Sequence, residues 1–185
     1  ILAAVAAAHE TGIIHRDLKP ENVICTTRRG VSDFVKVLDF GLAKIVNNES
    51  GEKLTQAGFV MGTPLYMPPE QAMGRTLDER TDLYCIGIMA YEMITGHPPF
   101  NGSLQEIVRH HMFSAPPPLS DSYTGLTVHP DLEMLVETLL AKSPKDRFQS
   151  AKAVSNALDS VARQLAKEPE VTGGILEQTR AAMAP

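Results

Sequence analysis

Residues 81–95, TDLYCIGIMAYEMIT, constrain this chain more than any other segment. At the helical period, Leu83, Ile86, Gly87, Ala90, Tyr91 and Ile94 form one apolar face, while Cys85, Ile88, Met89 and Met93 cover much of the other. A helix apolar nearly all round has no face to give to water, so it must stand at the centre of its domain. Gly96 supplies a left-handed stop, and His97-Pro98-Pro99 prevents continuation.

The remaining segments read as the wrapping of that helix. Residues 1–11 form an Ala-rich helix with Leu2 and Val5 on one face, closing at Thr11-Gly12. Val23–Thr26 and Phe34–Leu38, joined by a polar turn, suggest a small hairpin. Ser103 and Glu106 have capping-box spacing and open a helix to about Phe113. Pro116–Pro118 start an extended connection. Leu132, Leu135, Val136, Leu139 and Leu140 make an amphipathic helix, as do Val154, Ala157, Leu158, Val161 and Leu165 behind the N-cap Ser150. Between Gly41 and Glu70 there is no period at all, which predicts a long loop of the kind that usually has a function. Residues 166–185 read as a linker or frayed tail.

Composition excludes several classes. The chain has 185 residues, 43% hydrophobic, enough for one core. A net charge of -5 without a basic stripe argues against nucleic-acid or membrane-surface partners. Cys25 and Cys85 lie far apart in apolar contexts and are expected to be small buried residues, which fits a reducing cytosol. The apolar run Ile1–Ala8 lacks a basic leader and reads as the end of a helix. No stretch reaches the roughly 20 apolar residues of a membrane span. His110 and His111 point apart on a helix and have no third ligand, so a solvated face is expected there, not a metal site.

Chemistry concentrates in three short motifs. His15-Arg16-Asp17-Leu18-Lys19-Pro20-Glu21-Asn22 is followed, beyond the hairpin, by Asp39-Phe40-Gly41, then by Gly62-Thr63-Pro64 and Pro68-Pro69-Glu70. Over about 1–165, this order resembles the protein kinase family, with its H-R-D-L-x-x-x-N catalytic loop, D-F-G and A-P-E motifs. Pro68 in place of Ala departs from the pattern without touching the chemistry. The resemblance implies a mainly α fold with a small β-hairpin: the C-terminal, larger lobe of a kinase, whose N-terminal lobe in cis is missing. There is no G-x-G-x-x-G before residue 15, so the Gly-rich loop and strand Lys are expected upstream of Ile1, and the fragment alone is expected to be inactive.

The residue types suit phosphoryl transfer from ATP, which asks for positioning and charge neutralisation. Asp17 can orient the proton of an incoming hydroxyl. Asn22 and Asp39 offer the hard oxygens that Mg2+ prefers. Lys19 can set its ammonium on the transferring phosphate. By resemblance, Lys19 and Thr63 mark a serine/threonine kinase, so protein Ser and Thr hydroxyls are the expected acceptors, and Glu21 and Ile24 join the nucleotide site, Ile24 as the floor under adenine. The resemblance likewise implies that His15 and Phe40 stack in a spine, that Glu70 and Arg147 form a buried ion pair, and that Asp82 accepts hydrogen bonds from the catalytic-loop backbone. Arg16 is expected to hold a phosphate on the loop 42–62, with Thr55 favoured over Ser50 as its site. The sequence looks like bacterial members of the family, with a cytoplasmic catalytic domain. The alternative is a pseudokinase scaffold, against which the retained Asp17, Asn22 and Asp39 argue.

Overall fold

The computed structural model describes residues 1–28, 31–40, 64–122 and 128–167. Among these, seven α-helices surround or build one core beside a two-stranded antiparallel sheet: α1 (Leu2–Glu10), β1 (Val23–Arg28), β2 (Val31–Val37), α2 (Pro69–Ala72), α3 (Glu79–Thr95), α4 (Leu104–Phe113), α5 (Leu119–Ser122), α6 (Pro130–Leu139) and α7 (Ala151–Leu165). The fold is mainly helical with a small hairpin.

Helix α3 is the axis. Every residue from Thr81 to Met89 is buried, so no face of this stretch reaches solvent. Asp78 caps it by accepting from Arg80 N–H, and Gly96 ends it at φ 82. Its last turn emerges from the core, which leaves Met93 71% exposed. Gly87 lets α6 approach: a Cβ there would stand 2.8 Å from Leu139 Cβ. Leu135, Val136 and Leu139 of α6 and its C-cap Leu140 fill the core against α3, and α7 contributes Ala151, Val154 and Val161. Helix α7 also packs on the Ala-rich α1, whose Val5 is fully buried. The capping box at Ser103 is formed in both directions.

Three expectations are corrected. The aperiodic stretch ending at Glu70 contains a 3-10 turn, Pro64–Tyr66, and the helix α2, both opened by proline at the position where its fixed φ suits a first turn. Cys25 is exposed, since a lone two-stranded ribbon lacks the second layer that would cover both its faces, whereas Cys85 is buried inside α3. His111 is fully buried and not on a solvated face. It bonds Tyr84 OH at 3.0 Å and Leu65 O at 3.0 Å, and Phe100 packs edge-on against its ring.

Candidate active site

The segment from His15 to Asn22 leaves α1 through Gly12, which takes φ 74, and is then fixed by contacts to three other parts of the chain. The first is His15. A carbonyl oxygen only accepts, so the 2.7 Å contact between His15 Nε2 and Leu38 O puts the ring proton on Nε2. Nδ1 then accepts from Asp17 N–H at 3.4 Å. The ring also meets Phe40 edge-on, 4.9 Å between centroids, so His15 grips the residues on either side of Asp39.

The hairpin supplies the second contact. Val23 lies opposite Val37, so the next pair outward is Asn22 and Leu38, joined by Leu38 N–H donating to Asn22 O at 2.8 Å. Strand register therefore brings Asn22 beside the residue that precedes Asp39. Asn22 Nδ2 donates to Asp17 O at 2.7 Å and lies 3.4 Å from Asp17 Oδ2. Its amide oxygen stays uncommitted among the described residues. Lys19 Nζ pairs with the same Asp17 Oδ2 at 2.8 Å, and the Asp17 side chain remains 54% exposed. Asp39 is exposed, with no hydrogen bond or ion pair among the described residues.

The third contact is Asp82, which is fully buried in the first turns of α3. Its Oδ2 accepts from His15 N–H and its Oδ1 from Arg16 N–H, both at 2.9 Å. These bonds hold Arg16 at φ 69, and Asp39 stands at φ 58. Two non-glycine residues in the left-handed region, each costing on the order of 1–3 kcal/mol, persist only where the surroundings over-determine them. Arg16 Nε is buried and has no hydrogen-bond partner among the described residues.

The groups gathered here are the Asp17 carboxylate, the Asn22 amide and the Lys19 ammonium, with the Asp39 carboxylate one residue beyond the Leu38–Asn22 backbone bond. Hard oxygen donors suit a divalent cation, and the ammonium suits a phosphate oxygen. No group of three or more His, Cys, Asp or Glu side chains gathers among the described residues.

Other expected residues fall into two sets. Ile24 on β1 is 45% exposed, and Glu21 is exposed in the turn before it. Arg147 and Glu70 meet in a buried bidentate pair, and Thr81 Oγ1 adds a 3.1 Å bond to Glu70 Oε1. Gly41, Ser50, Thr55, Gly62 and Thr63 lie outside the described residues.

Sequence reading missed three features. His9 Nε2 lies 2.8 Å from Asp82 Oδ2. Tyr66 OH donates to Glu92 Oε2 at 2.5 Å; burial, then the Glu92 carboxylate and the field of Glu21, push this phenol up. Lys142 sits over the Phe100 and Tyr84 rings at 4.8 and 5.5 Å, and burial followed by the charge of Arg147 brings it down to about 8.

Several known proteins are similar to this chain in sequence. The family model described as protein kinase domain matches residues 1–158. The serine/threonine-protein kinase pkn3 of Myxococcus xanthus is 45% identical over 166 residues, covering 89% of this chain and 30% of that protein. Pkn1 of the same organism, also a serine/threonine-protein kinase, is 43% identical over 187 residues, covering 98% and 26%. A probable serine/threonine-protein kinase PknB of Corynebacterium glutamicum is 40% identical over 166 residues, covering 88% and 25%. The chain spans less than a third of the length of these relatives.

Proposed function

This chain belongs to the protein kinase domain family, and from that premise we propose that it is the C-terminal-lobe portion of a serine/threonine kinase and transfers the γ-phosphoryl group of ATP to Ser and Thr hydroxyls of proteins. The observation that carries the reading is the tether of Asn22 to Asp17 on one side and to Leu38, next to Asp39, on the other.

In this reading Asp17 takes or orients the proton of the acceptor hydroxyl. Its Oδ2 is held by Lys19, which fixes the carboxylate, and its exposure leaves the group open to a substrate. Lys19 also reaches the transferring phosphate. Asn22 and Asp39 hold Mg2+, which when bound neutralises charge on the phosphate oxygens. Glu21 and Ile24 flank the nucleotide, Ile24 offering an apolar surface to adenine. His15, Phe40 and Asp82 keep these groups in place, and the Glu70–Arg147 pair ties the segment before α3 to the helical core. Thr63, by resemblance, marks with Lys19 a kinase of serine and threonine. Arg16 receives a phosphate carried by Thr55; its buried Nε, without a partner among the described residues, supports a guanidinium that awaits an anion. The Gly-rich loop and strand Lys of the family come from the N-terminal lobe in cis, and without them the chain is inactive.

The test uses the full-length protein that contains this chain. It is incubated with γ-labelled ATP, Mg2+ and a general protein acceptor, and the products are hydrolysed to phosphoamino acids. Label in phosphoserine and phosphothreonine supports the reading. Absence of label in protein, with nucleotide-independent partner binding, would replace it by the scaffold alternative.

A further inference from the structure

His111 takes no part in the chemistry at Asp17, yet it is fully buried and both of its ring nitrogens are engaged. Nε2 lies 3.0 Å from Leu65 O, and a carbonyl oxygen only accepts, so the ring proton is on Nε2. Nδ1 of the neutral ring must then accept, and Tyr84 OH donates to it at 3.0 Å. The Tyr84 oxygen in turn accepts from Lys142 Nζ at 3.2 Å. The bonds therefore run in one direction, from Lys142 in the turn after α6, through Tyr84 of α3 and His111 of α4, to the backbone at Leu65. Phe100 holds the imidazole plane by an edge-on contact, 5.0 Å between centroids, and the same ring lies under Lys142 Nζ.

The end of this relay is the 3-10 turn Pro64–Tyr66. Helices α3 and α4 both pack on the turn. From α3, Cys85 Sγ donates to Tyr66 O at 3.3 Å and Glu92 accepts from Tyr66 OH. These two bonds fix Tyr66. The bond from α4 to Leu65 O comes from His111.

The turn stands beside the catalytic segment. Burial and then Glu92 push up the Tyr66 phenol, and the charge of Glu21 adds to them. Burial, then Asp82 and Glu70, push up the Cys85 thiol, and the charge of Asp17 adds to those. Charges of residues 17 and 21 thus act on the two side chains that tie Tyr66 to α3. The Asp17 carboxylate is open to solvent, so a protein segment that brings a hydroxyl to it must lie against what flanks it, and this turn is one flank.

We propose that His111 is a positioning residue for the protein acceptor: through its bond to Leu65 O, backed by Tyr84 and Lys142, it fixes the height of the Pro64–Tyr66 turn beside Asp17. The proposal rests on the kinase reading above and adds to it a residue outside the quoted motifs. His111 touches neither nucleotide nor Asp17, so its loss acts on capture of the acceptor and not on that of ATP.

The test is steady-state phosphotransfer by the full-length protein, with ATP and a protein acceptor varied in turn. His111→Phe keeps an aromatic ring against Phe100 and removes both nitrogens. It is expected to raise KM for the acceptor about tenfold or more, with KM for ATP within about threefold of the unsubstituted protein. His111→Gln can offer an amide N–H to Leu65 O and an amide oxygen to Tyr84 OH, and is expected to keep KM for the acceptor within about threefold. Should His111→Phe fail to fold, Tyr84→Phe, which removes the hydroxyl that orients the imidazole, is expected to raise KM for the acceptor about threefold or more while KM for ATP stays in place. A merely structural role would reduce the folded fraction, lowering kcat and leaving both KM values where they were; that result overturns the proposal. It is equally overturned if His111→Gln is as impaired as His111→Phe, or if KM for ATP rises as much as KM for the acceptor. An unsubstituted protein with no transferase activity would instead remove the kinase reading itself.

Discussion

Arg147 and Glu70, 77 residues apart, face each other through two parallel bonds of 2.8 and 2.7 Å, with side chains 0% and 4% exposed. Arg147 spends its other donors on Ala141 O, Arg80 O and Lys142 O, so one buried guanidinium joins α2, the start of α3 and the turn after α6. A buried charge is tolerable only with such complete pairing, and removing one member strands the other. Arg147→Met is expected to destabilise the protein by about 3–5 kcal/mol, read as a lowered urea midpoint. Arg147→Met combined with Glu70→Leu is expected to recover part of that loss, because no lone charge then remains buried.

Gly87 makes a sharper demand on packing. A Cβ at this position would meet Leu139 Cβ at 2.8 Å and Leu140 Cδ2 at 2.9 Å. Helix propensity alone would favour alanine by about 1 kcal/mol. Overpacking at a helix crossing outweighs that, so Gly87→Ala is expected to cost about 1–3 kcal/mol net of propensity, measured by thermal or urea unfolding. An unchanged or raised midpoint would mean that α6 can retreat from α3.

The burial of His111 has a pH signature. Burial, then the nearby Lys142, pulls its imidazolium down from 6.5 to about 4, while His110 adds a smaller effect of the same sign; Leu65 O and Pro64 O oppose it. The folded state thus binds this proton less readily than the unfolded chain. Stability contributed by the neutral ring is complete above about 6.5 and is lost as pH falls toward 4, up to about 3 kcal/mol. Unfolding midpoints followed from pH 7 to 4 are expected to fall more steeply for the unsubstituted protein than for His111→Gln. Parallel curves would contradict the assignment.

How much of this was readable in the sequence depends on the range of the interaction. The all-round apolar pattern of residues 81–95 requires a central helix, and α3 is one; Ser103 with Glu106, and Gly96, mark helix ends through bonds spanning a single turn. The local motifs could name Asp17, Asn22 and Asp39, but that Asn22 stands across from Leu38 depends on strand register, which no single residue displays. His111 and His9 were unreadable for a related reason. A histidine is equally at home in water and against a buried partner, and their partners Tyr84 and Asp82 are 27 and 73 residues away. Cys25 was misjudged because apolar neighbours in a strand imply burial only where a second layer exists.

Arg16 offers a regulatory prediction. Its buried Nε lacks a partner among the described residues, and a phosphate oxygen would supply a charge-assisted acceptor. Phosphopeptide mapping of the full-length protein after incubation with ATP is expected to find Thr55 modified. Thr55→Ala is expected to lower phosphotransfer about tenfold or more in otherwise unchanged protein, and little further loss should follow when Arg16→Ala is added. Modification confined to Ser50 would reject Thr55.

The central claim is that Asp17 stands where an acceptor hydroxyl meets the phosphate, with Asn22 and Lys19 fixing its carboxylate. The most direct measurement is steady-state phosphotransfer from ATP to a protein acceptor by the full-length protein and its Asp17→Asn variant, which keeps the shape and removes the charge. The account predicts a fall in kcat of about 10²–10⁴-fold with KM for ATP nearly unchanged. Turnover within a few-fold of the unsubstituted protein would contradict it.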